Sequence, residues 1–141
     1  MEVDVNYLAV FLAAVSSMVV GSIWYLPKVF GTYWMKLAKV KMNQEVTTTQ
    51  MVGMYGLTFL ASLIMAYVLA HVTFLSNKFF GGSFLSSALS TAFWVWLGFI
   101  AFRFKVHDMF EGRPAGLTRL TIANELITIM VMAVIIGLMG I

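Results

Sequence analysis

Residues 117–141 read LTRLTIANELITIMVMAVIIGLMGI, and after Glu125 the stretch holds no charged side chain. A helix needs about 20 mostly apolar residues to cross a hydrocarbon core about 30 Å thick, at about 1.5 Å of rise per residue. This stretch meets that length and lacks the two-residue alternation of a barrel strand. Moving back along the chain, 84–104, 51–74 and 5–26 have the same character. Open sheet edges cannot face lipid, because their backbone groups would stay unsatisfied. The expectation is an all-α integral membrane protein, a four-transmembrane-helix bundle forming one domain over residues 1–141.

Composition supports this reading. The chain is 61% hydrophobic and 11% charged, whereas a soluble domain has about 45–50% apolar and about 25% charged residues. The net charge of +3 is modest and the bases are dispersed, so no nucleic-acid partner is expected. The absence of Cys excludes disulfides and thiolate chemistry. No Lys or Arg precedes Lys28, so the first apolar run reads as a permanent helix and not a cleaved signal.

Of the nine Lys and Arg residues, all but Lys78 fall between spans one and two or around the connection between spans three and four. The first set is Lys28, Lys36, Lys39 and Lys41; the second is Arg103, Lys105, Arg113 and Arg119. The positive-inside rule places both sets in the cytoplasm. The expectation is a multi-pass protein of the cell membrane with both ends on the non-cytoplasmic side.

Pro27 should stop the first helix at Trp24-Tyr25, aromatics suited to the headgroup level. Phe30, Tyr33, Trp34 and Leu37 follow at helical spacing, with Lys36 and Lys39 off their face. They predict an interfacial amphipathic helix, read first as a membrane collar and second as a lipid or partner site. The polar stretch 43–50 reads as a linker, with Thr47 and Gln50 spaced for a capping box. Residues 76–83 read as the outer turn around Gly81-Gly82, and 105–116 as the inner loop. Small residues at four-residue spacing (Ala9, Ala13, Ser17 and Gly21 in the first span, Thr58, Ser62, Ala66 and Ala70 in the second, Ser87 and Thr91 in the third, Ala133 and Gly137 in the fourth) predict close helix packing. Four helices leave surface over, so a homo-oligomer is expected beside the lipid bilayer.

Glu125 is the residue with the most chemical content, since a charge within a span is a functional candidate by default. Thr118, Thr121, Asn124, Glu125 and Thr128 share one side of the fourth helix and form a polar stripe that fades at Met132. Counting about 20 residues back from Ile141 sets Glu125 about 5 Å inside the inner boundary. At that depth a structural ion pair with Arg103 or Arg119 is the first reading, and a proton-coupling or ligand carboxylate the second. His71 and His107 lie on opposite sides and make no metal set, and no cofactor motif is present. Asp108 and Glu111 read as members of a solvated loop. The eleven Met residues read as packing.

Gly21-Ser22-Ile23-Trp24-Tyr25, Phe30-Gly31 and Trp34, then Trp96-Leu97-Gly98-Phe99 and Phe110-Glu111-Gly112-Arg113-Pro114 with Asn124 downstream, occur in this order. The set resembles the domain-of-unknown-function family numbered 1761, small bacterial and archaeal membrane proteins, over nearly the whole chain. The resemblance implies a four-helix membrane domain and brings no activity. The residue after the Asn is often apolar or aromatic in that pattern, and Glu125 departs from it.

Three functions compete. The first is small-solute or ion transport, or a channel, by a homo-oligomer, with Glu125, Asn124, Thr121, Thr128, Arg103 and Arg113 as binding or coupling candidates. The charge bias opposes an antiparallel pair of the small drug-exporter kind. The second is a membrane enzyme holding an anionic cofactor or lipid on Arg103, Lys105, Arg113 and Arg119. It ranks last, because the dense Glu-Arg-Asn pattern of the small glutathione-handling membrane enzymes is missing. The third is a non-catalytic structural or interaction protein.

Overall fold

Asn6 opens the first helix: its side-chain oxygen accepts the Ala9 amide at 3.1 Å, satisfying one of the free amides at a helix start. In this computed structural model the described residues are 3–40 and 46–140. Lys41, residues 43–45 of the polar linker, Glu2 and Ile141 lie outside them. Helix α1 spans Tyr7–Trp24, α2 Thr32–Ala38, α3 Thr48–Phe80, α4 Phe84–Val95, α5 Phe102–Phe110 and α6 Ala115–Met139. A wide π turn over Trp96–Ala101 joins α4 and α5 into one continuous rod, Phe84–Phe110. Among the described residues there is no strand. The helices α1, α3, the α4–α5 rod and α6 are each long and apolar enough to cross a membrane.

The break after α1 follows from Pro27. Leu26 is extended before it, as a residue preceding Pro prefers, and a second π turn over Pro27–Gly31 leads into α2. The Gly31 amide donates to the Leu26 carbonyl at 2.9 Å. A Cβ at Gly31 would collide with the Tyr25 carbonyl oxygen and sit 2.9 Å from the Leu26 carbonyl carbon, so this turn requires Gly. The amphipathic face then folds back. Phe30 packs on Trp24 with ring centroids 4.4 Å apart, and Trp34 on Tyr25 at 5.5 Å. Tyr33 and Leu37 lie over Gly116 of α6, where a Cβ would be 3.0 Å from the Tyr33 hydroxyl.

Three boundaries differ from the sequence reading. The α3 helix runs on through Ser76-Asn77-Lys78 to Phe80, so the turn is shorter than 76–83. Asn77 stabilises this turn by donating to the Gly82 carbonyl at 3.2 Å and to Ser87 Oγ at 3.0 Å, and Gly81 leaves the helix at φ 74°. The third rod likewise continues to Phe110, leaving a connection of only 111–114 in place of a 105–116 loop. Pro114 then caps α6. At α3 the capping box forms as read: Gln50 Oε1 accepts the Thr47 amide at 3.0 Å, and the Gln50 amide donates to Thr47 Oγ1 at 3.3 Å.

The four rods form a square in which α1 neighbours α3 and α6, and α4 neighbours the same two. The small-residue stripes face inward over most of their length: Ala9, Ala13, Ser17, Ser62, Ala66, Ala70, Ser87, Thr91, Ala133 and Gly137 are buried, with Ala88 and Ala92 beside them, whereas Gly21 is half-buried and Thr58 exposed. Alanines on three helices receive the larger Ile129, Met132 and Ile136 of α6, a pairing of small with large that fills space. This core occupies the half of the bundle nearer the α3–α4 turn. Towards α2 the stripes part, and a cavity takes the place of the core.

Candidate functional site

The cavity has a volume of about 700 Å³ and is bounded by α1, α3, the π turn of the third rod with the start of α5, and α6. Its wall is mostly apolar and aromatic, including Met18, Tyr25, Tyr55, Met65, Ile100 and Phe104. Its polar groups converge from three helices. Ser17 of α1 and Ser62 of α3 place their hydroxyl oxygens 2.7 Å apart, and Ser62 also donates to the Thr58 carbonyl at 2.9 Å. From α6 come Asn124, Glu125 and Thr128, one helical turn on a single face. Glu125 stands about 15 Å along the helix axis from the Ala115 start of α6. Ile129 and Met132, 1% and 0% exposed, belong to the packed core just beyond Thr128.

The expected ion pair of Glu125 is a correction. Among the described residues no Lys or Arg nitrogen lies within 4.0 Å of its carboxylate; Arg113 pairs with Asp108, and His107 Nδ1 lies 3.9 Å from Asp108 and 3.6 Å from Glu111. Arg119 turns back to its own helix and donates to the Ala115 carbonyl at 3.3 Å. Arg103 points outward and is exposed. The Asn124 side-chain oxygen is buried with no hydrogen-bond partner. The site therefore holds an acidic group without a basic partner among the described residues.

The polar stripe divides between two places. Asn124, Glu125 and Thr128 reach the cavity, whereas Thr121 donates to the Leu117 carbonyl at 3.1 Å and does not line it. Thr118 is buried and donates to Asp108 Oδ2 at 2.7 Å. Asp108 is 1% exposed, contrary to its reading as part of a solvated loop. Arg113 Nη1 lies 3.4 Å from both Asp108 carboxylate oxygens, and the Arg113 amide donates to the Asp108 backbone carbonyl at 2.9 Å. These bonds close the 111–114 turn and fasten α5 to α6, with Gly112 supplying the φ of 68° that the turn needs. Arg113 is thus a fastening residue of this turn. His107, Asp108 and Glu111 bring one potential ligand atom each within 4.8 Å of one another. The guanidinium already on Asp108 opposes a metal cation there.

Sequence reasoning missed two further features. Trp96 Nε1 donates to the Ile122 carbonyl at 3.1 Å, tying the π turn to α6 beside Asn124. Its place in the Trp-Leu-Gly-Phe motif was the available signal. The aromatic walls Tyr25, Tyr55 and Phe104 come from three separate segments, and no spacing rule links them.

In comparisons with known proteins, no curated protein and no solved structure matches the chain. A family model matches residues 8–137, nearly all of it. It covers the Trp24, Gly31, Trp96, Arg113 and Asn124 positions whose packing is described above, and the chain belongs to the family described as protein of unknown function, DUF1761.

Proposed function

We propose that the chain transports a small solute or ion across the cell membrane, with Glu125 as the binding or coupling residue and Asn124 and Thr128 beside it. The observation that carries this is a carboxylate facing a cavity of about 700 Å³ inside an apolar bundle, with no basic partner among the described residues. A carboxylate removed from bulk water and left unpaired is costly, so its presence calls for an occupant such as a proton or a ligand. Lys28, Lys36, Lys39, Arg103, Lys105, Arg113 and Arg119 all belong to segments at the cavity end of the bundle. The positive-inside rule favours that end as cytoplasmic, with both chain ends outside. The cavity then faces inward, and Ile129 and Met132 form its outer gate. Flux requires that gate to part. The π turn at Trp96–Ala101, at cavity depth, is the natural place for the third rod to bend. Four helices leave the cavity partly open at its side, and a second copy of the chain closing it is the reason to favour a homo-oligomer.

The test uses proteoliposomes of the full chain and a flux panel of monovalent metal cations, protonated amines, neutral polyols and protons. Wild-type protein should carry at least one of these above protein-free vesicles, and Glu125→Gln should abolish that flux. Undiminished flux in the variant, or none from wild type across the panel, would overturn the proposal.

A further inference from the structure

The donor–acceptor inventory of the cavity narrows what it can hold. Glu125, when ionised, offers acceptors only, whereas the unpartnered Asn124 side-chain oxygen is enclosed away from the open space. The two residues are adjacent on α6 and both line the cavity. A ligand that satisfies the two Glu125 carboxylate oxygens needs positive charge and at least two N–H or O–H donors on one atom or on close atoms. An anion would meet the Glu125 charge with nothing to offset it, since Arg103, Arg113 and Arg119 are directed elsewhere. A divalent metal such as calcium seeks about six to eight oxygens, commonly with several carboxylates. Here one carboxylate is present; the Ser17 and Ser62 hydroxyls are engaged with each other and Thr58 with the Met54 carbonyl, and the other lining oxygens, on Ser22, Thr128, Tyr25 and Tyr55, are neutral hydroxyls. A quaternary ammonium has the charge but no donor.

The remaining wall defines the rest of the ligand. Tyr25, Tyr55 and Phe104 are aromatic, and Met18, Met65 and Ile100 are flexible or apolar. Aromatic faces attract organic cations and bury flat apolar groups, and Met adapts its shape to an irregular body. A cavity of about 700 Å³ lies within the usual range for small organic ligands, about 300–1,000 Å³.

We propose that this cavity binds a protonated primary amine bearing an apolar or aromatic body, its ammonium on the Glu125 carboxylate and its body against Tyr25, Tyr55 and Phe104. The assignment rests on the cavity being the solute site and adds the chemical class of the solute. The amine binds as the cation, donates N–H bonds to the two Glu125 carboxylate oxygens, and directs its third donor to the cavity.

Titration calorimetry on the detergent-purified full chain tests it with three probes that share one body: 2-phenylethylammonium, its N,N,N-trimethyl derivative and 2-phenylethanol. Saturable binding of the primary ammonium is expected, at least about tenfold tighter than either of the others, as loss of a paired buried charge or its donors implies. Glu125→Gln should weaken it at least about tenfold, with the melting temperature of the variant recorded to show that it folds. The three-probe series on wild-type protein keeps the test decisive if the variant does not fold. Equal affinity for the alcohol or for the trimethyl derivative, or no saturable binding of the primary ammonium, would overturn the assignment. If the ammonium fails to bind while Glu125→Gln still abolishes flux of another solute in proteoliposomes, the amine is wrong and the transport reading survives. If Glu125→Gln leaves every flux unchanged, both fall.

Discussion

Asp108 and Glu125 are two carboxylates in one bundle with opposite surroundings, and the contrast explains what each does. Asp108 is buried but fully engaged: Thr118 donates to it at 2.7 Å, and Arg113 lies 3.4 Å from both of its oxygens. Such a group fastens structure, because removing it strands a buried hydroxyl and an arginine together. Asp108→Ala should therefore cost about 2–4 kcal/mol of stability, and Thr118→Val about 1 kcal/mol, because the Arg113 contact survives in the second variant. Thermal melts in detergent check this; an Asp108→Ala melt that matches wild type would show that the turn holds without its carboxylate. Glu125 has no such partners among the described residues, so its removal should cost little stability and show instead in ligand affinity or flux. In the sequence Asp108 reads as a loop residue and Glu125 as a residue within a span. Which one is locked and which one is free depends on where Arg113 turns after Gly112, and local composition does not carry that information.

Among the helices, the closest approach of α4 and α6 is set by Gly137. A Cβ there would stand 2.7 Å from Leu85 Cδ1 and 2.8 Å from Leu85 Cα, so any side chain must push the two helices apart. Gly137→Ala should destabilise the bundle by about 1–3 kcal/mol, the usual cost of overpacking. Gly98→Ala is the control: nothing lies within 4 Å of its Cβ position, and its melt should stay close to wild type. Equal melts for the two variants would remove the packing argument. Much at this level is readable from the sequence, because it is local or periodic. Pro27 stops a helix for covalent reasons, Thr47 and Gln50 cap one through neighbouring atoms, and the Ala9–Ala13–Ser17 and Ser62–Ala66–Ala70 stripes announce close packing. The two π turns are not so readable. The turn at Pro27–Gly31 is held by local bonds, but at the other Trp96 donates to the Ile122 carbonyl, and no propensity encodes a partner 26 positions away. The continuation of α3 past Ser76-Asn77-Lys78 was hidden for a related reason: Asn77 reads as a turn residue, yet here its side chain serves the turn from within the helix.

Across the whole bundle, the distribution of volume is as informative as the distribution of charge. Near the α3–α4 turn, Ile129, Met132 and Ile136 fill the space between alanines; near α2, aromatic rings and hydroxyls surround open space. The polar stripe of α6 foreshadowed one wall of that space. The space itself arises from how four helices diverge, which no single stripe specifies. The α2 helix lies across the same end, with Tyr33 and Leu37 on Gly116, and brings Lys36 and Lys39 to the end that bears Arg113 and Arg119. Bases gathered at one end of a membrane bundle resist translocation, so the proposed orientation puts α2 and the cavity mouth in the cytoplasm. The absence of native Cys makes this directly testable with single-cysteine variants in intact cells. Phe79→Cys lies at the opposite end, where Phe79 is 82% exposed, and should react with a membrane-impermeant maleimide without permeabilisation. Lys36→Cys should react only after the membrane is opened. The reverse pattern would place the cavity mouth outside and turn the proposed direction of access around, while equal labelling of both sites in intact cells would mean that the chain inserts both ways and that its charge bias does not govern it.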